Sequence, residues 1–131
     1  MEMIIGGAFQ GKSAYARQQF PDILFRNGES LDDEELIRSK GIVGLHRFIR
    51  KEMKKGRTQE ALMALMTQLD PEVILVTDEV GYGVVPLDPF DRSFREVVGR
   101  ICTELAARSS RVTRIVCGVP SVIKDTGKTG K

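Results

Sequence analysis

Eight residues near the start of the chain, Gly6-Gly7-Ala8-Phe9-Gln10-Gly11-Lys12-Ser13, have the types and spacing of a phosphate-binding loop. Glycine has no Cβ, so backbone N–H groups can wrap closely around a phosphate. A helix that starts at Lys12 would add the partial positive charge of its N-terminus. Lys12 would reach the β- and γ-phosphates, and the Ser13 hydroxyl would ligate Mg²⁺. Gly6 to Ser13 are therefore the candidate nucleotide-binding residues. The expected cofactors are Mg²⁺ with ATP or GTP as co-substrate. The chain has no base-reading Asn-Lys-x-Asp motif to separate the two nucleotides.

A second element belongs with this loop. Val73-Ile74-Leu75-Val76-Thr77-Asp78-Glu79 is an apolar run closed by two acids, the form of a strand that delivers carboxylates to a phosphate site. Asp78 is expected to hold the metal, together with Ser13. Glu79 is expected to serve the metal or to act as a base on the attacking hydroxyl. These parts define phosphoryl or nucleotidyl chemistry without naming the acceptor.

The single histidine, His46, is another candidate. An imidazole with a free lone pair can attack an α-phosphate, so His46 could accept a nucleotidyl group. It could equally be a helix-face residue beside the basic stripe Arg47, Arg50, Lys51 and Lys54. That stripe could face phosphates or simply solvent. Arg92, Arg95 and Arg100 follow on a later helix and could approach a phosphate or form surface ion pairs.

The elements that must position these groups can be read from periodicity and breakers. Met3-Ile4-Ile5 reads as a buried strand, followed by a helix from Lys12 to Phe20 that Pro21 stops. Ile23-Leu24-Phe25 reads as a second strand, and Ser30 as the cap of an acidic helix. Ile42 to Lys55 has helical spacing throughout, with Ile42, Leu45, Phe48, Ile49 and Met53 on one face. Thr58 to Leu69 reads as a further helix, broken by Asp70-Pro71. Asp88-Pro89 has the form of a cap with proline at the first helical position, opening a helix to about Arg108. Val112 to Val116 is the last clear strand, and Val119 to Ile123 a short apolar segment. Strands separated by helices imply an α/β fold with a mainly parallel sheet flanked by helices. The organisation expected is one domain over residues 1–124, with residues 125–131 a disordered tail.

Composition narrows the classes. A formal net charge of +2 gives no electrostatic case for nucleic acid or a membrane surface. No apolar run approaches the ~20 residues that span a bilayer, so no membrane span is expected. Met1 to Ala8 has no basic leader of the secretory type. Cys102 and Cys117 lack metal-ligand spacing and are expected to be core thiols. The setting expected is cytoplasmic.

The stretch Val73 to Pro86, with its run Glu79-Val80-Gly81-Tyr82-Gly83-Val84-Val85-Pro86, resembles the adenosylcobinamide kinase / adenosylcobinamide-phosphate guanylyltransferase family. So do Phe94 to Arg100, Val116 to Lys124 and the loop Gly6 to Ser13. The resemblance implies a RecA-like P-loop domain. It also implies phosphorylation of adenosylcobinamide or a related corrinoid, then GMP transfer through a guanylylated histidine, in a homo-oligomer. The chain departs from the family pattern in three places. It has fewer residues between the second strand and Asp78. It carries Lys40-Gly41-Ile42 where the family has its histidine segment after Leu31-Asp32-Asp33-Glu34. It has Cys102-Thr103 where the family tends to have Asn-Gln. These departures keep open a non-catalytic nucleotide-binding module with a regulatory or scaffolding role, and a kinase for another small alcohol.

Overall fold

Apolar residues of the short strands build both faces of the central sheet. The structure is a computed structural model that describes residues 1–79 and 88–127. The first strand, β1 (Glu2–Gly6), is followed by helix α1 (Lys12–Gln19) and strand β2 (Phe25–Asn27). Helix α2 (Asp33–Arg38), strand β3 (Gly41–Val43), helix α3 (Leu45–Lys54) and helix α4 (Gln59–Met66) come next. Strand β4 (Ile74–Asp78), helix α5 (Pro89–Arg108) and strands β5 (Arg111–Val116) and β6 (Val119–Asp125) complete the described chain.

The strands form one sheet in the order β2-β3-β4-β1-β5-β6. All neighbours are parallel except β5 and β6, which make an antiparallel hairpin. This is the α/β, mainly parallel architecture that the strand–helix alternation implies. Strand β1 lies between β4 and β5, with Ile4 opposite Val76 on one side and Thr113 on the other. Its side chains alternate between two cores. Met3 joins Leu75, Val112 and residues of α2 to α5, whereas Ile4 joins Ile74, Val76, Ile115 and Ala16 of α1. A sheet covered on both faces explains the near-continuous apolar runs of its central strands.

Local chemistry fixes the helix starts. Asp88 accepts from the Asp91 N–H and Pro89 occupies the first turn of α5, as its sequence implies. The acidic helix starts later than Ser30 suggests. Asp32 caps α2, and it forms a reciprocal box with Glu35. Hydrogen bonds from the Asp32 backbone and Arg26 hold the Glu35 carboxyl below its ordinary pKa.

Three other expectations change. The second strand begins at Phe25 rather than Ile23, because a turn continues past Pro21. Ile42 belongs to β3, not to a helix, and pairs with Leu75 of β4. The helical spacing from Ile42 onward is genuine only from Leu45, since Gly44 intervenes at φ 75°. Asp125 is the last residue of β6 rather than the start of a tail; it pairs with Arg111, and the Thr126 N–H reaches the Ser110 carbonyl. Residues 128–131 of the expected tail, and the Val80–Leu87 run that includes Gly81, Gly83 and Pro86, lie outside the described residues.

Candidate phosphate-binding cleft

The cleft opens where β1, β3 and β4 end, at the carboxyl edge of the parallel strands, the usual ligand position in such sheets. Its volume is about 260 Å³, and it is lined by residues 8–14 of the loop together with Val43, Gly44, His46, Arg47 and Val76 to Asp78. Two glycines of the loop have stated reasons to be glycine. A Cβ on Gly6 would sit 2.5 Å from the Ile115 carbonyl oxygen, so β1 can leave the sheet only without a side chain there. Gly11 caps α1 at φ 87°, a conformation costly for any residue with a Cβ. Phe9 shares the left-handed region at φ 61° and is fully exposed.

The loop is tied to the hairpin of β5 and β6. Gln10 accepts the Cys117 N–H with its side-chain oxygen and the Gly118 N–H with its carbonyl, the latter at 2.9 Å. Cys117 is therefore an exposed turn residue at φ 51°, not the core thiol expected of it. The turn between two strands presents its side chain to solvent. Cys102 on α5 does fit the expectation in part, and burial pushes its thiol up to about 11.

Lys12 is buried and held at two points. Its Nζ donates to the Gly7 carbonyl at 2.7 Å and pairs with Asp78 Oδ1 at 2.7 Å. Strand β4 delivers Asp78, whose backbone aligns with Gly6 of β1. The loop lysine and the strand-end aspartate therefore meet, as their motifs require, and Ser13 lines the same cleft.

His46 is in this group. Gly44 ends β3 and starts α3, and this turn carries His46 over the end of β4. Its Nδ1 accepts the Asp78 N–H at 3.2 Å, and the Thr77 hydroxyl lies 3.4 Å from the same atom. Nε2 faces Asp78 Oδ2 at 3.3 Å. Burial lowers the imidazole pKa, Asp78 opposes that shift, and Arg47 and Lys12 reinforce it. The net shift favours the neutral ring. A short β-branched run bounded by two glycines, Gly41-Ile42-Val43-Gly44, is the sequence signal for this turn.

Glu79 goes elsewhere. Its carboxylate pairs with Arg114 of β5 at 2.8 Å, and it lines a second cavity with Ile5, Thr77, Asp78, Val98, Gly99 and Cys102. The two carboxylates therefore have different partners, Asp78 the loop lysine and Glu79 an arginine of β5. Among the described residues there is no cluster of three or more His, Cys, Asp or Glu side chains fit to hold a metal by themselves. A cation here would need oxygens from a bound phosphate in addition to Ser13 and Asp78. Such all-oxygen donors suit Mg²⁺.

The basic stripe of α3 is mostly occupied. Arg50 pairs with Asp91 and lies over the Phe90 and Phe94 rings, and Lys51 donates to the Leu31 carbonyl. Arg47 alone of the four lines the cleft. On α5, Arg100 pairs with Glu96. Among the described residues no helix is long and apolar enough to cross a membrane.

The comparisons with known proteins agree with the family resemblance. The family model described as cobinamide kinase / cobinamide phosphate guanyltransferase matches residues 32–123. The bifunctional adenosylcobalamin biosynthesis protein CobU of Escherichia coli is 38% identical over 65 residues, which is 50% of this chain and 36% of that protein. The Salmonella typhimurium protein of the same name gives the same figures. The bifunctional adenosylcobalamin biosynthesis protein CobP of Pseudomonas aeruginosa is 38% identical over 66 residues, 50% of this chain and 38% of its own length. The matched part thus spans little more than a third of each curated relative.

Proposed function

The chain belongs to the cobinamide kinase / cobinamide phosphate guanyltransferase family, and on that premise we propose that it is a nucleoside triphosphate-dependent transferase acting on adenosylcobinamide or a related corrinoid. The observation that carries this reading is the meeting of Lys12, Ser13, His46 and Asp78 in one cleft over the Gly6–Ser13 loop.

The chemistry assigned to the cleft is phosphoryl transfer. Backbone N–H groups of residues 7–13 and the N-terminus of α1 receive the phosphates. Lys12 exchanges its Asp78 contact for the β- and γ-phosphates, a denser set of anionic oxygens. That exchange leaves Asp78 Oδ1 for the cation. Ser13 and Asp78 would hold Mg²⁺, which supplies charge neutralisation between the phosphates when bound. The acceptor hydroxyl oxygen attacks the γ-phosphorus, the bond to the β-phosphate oxygen breaks, the nucleoside diphosphate leaves, and the hydroxyl proton passes to a transferred phosphoryl oxygen and on to solvent. A loose transition state of this kind needs little base assistance, so the removal of Glu79 from the cleft is no obstacle. Positioning and charge stabilisation supply the catalysis.

The test is one incubation of the full chain with Mg²⁺, ATP or GTP, and adenosylcobinamide, read by mass spectrometry of the small molecules. The expected product is the phosphorylated corrinoid. Lys12→Ala should lower triphosphate affinity by about tenfold or more, as loss of a charged contact does. Triphosphate binding without transfer to this or any other alcohol would leave only a binding module.

A further inference from the structure

The His46 ring contacts Asp78 through both of its nitrogens. Nδ1 accepts the Asp78 N–H. A backbone N–H can only donate, so Nδ1 holds the lone pair and the ring proton sits on Nε2. Nε2 lies 3.3 Å from Asp78 Oδ2, while Oδ1 is taken by Lys12. The terminal torsion of an aspartate is broad and weakly defined by itself. Here one imidazole accepts the backbone N–H and lies against the carboxylate of the same residue, which narrows the room for that torsion. The same contacts bear on nucleophilicity. The nitrogen with the lone pair is directed into a backbone N–H, and the other nitrogen carries the proton.

We propose that His46 is a positioning residue that clamps Asp78 with Oδ1 toward Lys12, and that it is not a covalent nucleotide acceptor. The clamp rests on the reading of Asp78 as the carboxylate that serves a nucleotide-bound cation. It gives a role to a histidine that stands outside the usual family segment, and it couples β3, through the Gly44 turn, to the end of β4. A metal ligand supported in this way loses about 10- to 100-fold in cation affinity when its support is removed.

The experiment titrates the full chain with non-hydrolysable ATP and GTP analogues, once in EDTA and once in Mg²⁺. In the wild type, Mg²⁺ should tighten binding. In His46→Ala that gain should shrink by about tenfold, a larger loss than any change of affinity in EDTA. His46→Gln keeps one acceptor and one donor and should restore most of the gain. A merely structural role would weaken binding in both conditions and lower the melting temperature together. An unchanged Mg²⁺ gain in His46→Ala overturns the clamp. So does a GMP adduct, seen by intact mass after incubation with GTP and Mg²⁺, that is lost in His46→Ala. A wild type that binds no triphosphate at all overturns the proposed function, and the clamp with it. Binding without any Mg²⁺ gain overturns the clamp alone.

Discussion

Asp78 and Glu79 are neighbours in sequence, yet their carboxylates have different partners on two sides of β4. Asp78 follows the alternation of Ile74 and Val76, on the face that packs against α1 and the phosphate loop. Glu79 follows Leu75 and turns toward α5, where it meets Arg114. Both stand at the carboxyl end of β4 and both border the cavity beside α5, but Asp78 contacts Lys12 and His46 whereas Glu79 pairs with Arg114. A paired acid motif at the end of a doubly covered strand is thus two environments. Only Asp78, in phase with the loop, contacts Lys12.

The largest effect should follow from breaking the Asp78 side. Asp78→Asn keeps the size of the side chain and removes its charge. Transfer to the corrinoid should fall by about 100-fold or more, the scale of losing a charge-stabilising group. Triphosphate affinity in EDTA should hold or rise, since Lys12 is released from its 2.7 Å ion pair. Steady-state rates and a binding titration check the two halves separately. A rate loss with an equal loss of EDTA affinity would mean that Asp78 only holds the loop together.

The matching change on the other side should do much less. Glu79→Gln removes one partner of the Arg114 pair, whose arginine is 40% exposed. Such a half-exposed pair contributes about 1 kcal/mol or less after solvent screening. The transfer rate should stay within about threefold and the melting temperature should drop by only a few degrees. A rate collapse in Glu79→Gln would place both acids in one site and erase the distinction.

The same contrast explains what could be read from the sequence. The loop, β4 and α5 carry strong local signals: fixed glycine spacing, a β-branched run, and Asp88-Pro89. Their positions in the structure agree with them to within a few residues. The region from Ile23 to Lys55 was harder. Ile42 and Leu45 are three apart, which is helical spacing, and both are fully buried. A three-residue strand followed by a glycine turn produces that spacing by coincidence. Only pairing with β4 decides it, and pairing is tertiary. The contact of His46 with Asp78 depends on that turn, so the histidine could be placed on a helix but not in the cleft. The separation of Asp78 from Glu79 follows from strand alternation once both are at the end of β4, yet the Arg114 partner lies 35 residues away.

A third contrast, in reactivity rather than in transfer, concerns the two thiols, one on each side. Cys102 lies in the cavity beside Glu79, and Cys117 lies in the turn that donates to Gln10 of the loop. Only the thiolate reacts with an alkylating reagent, so both ionisation and access count. Burial holds the Cys102 thiol up at about 11, so at pH 8 roughly a thousandth of it is ionised. Its alkylation by iodoacetamide should therefore trail that of the exposed Cys117 by about 100-fold or more. The sign with pH follows from the same shift. The pKa of Cys102 is raised, so its protonated form stabilises the folded chain below about pH 9 and that contribution fades as pH rises through about 11. Peptide mapping after timed alkylation reads both rates in one sample. Equal rates at pH 8 would mean that the Glu79 side is as open to solvent as the phosphate side, and the two regions would then differ in charge but not in burial.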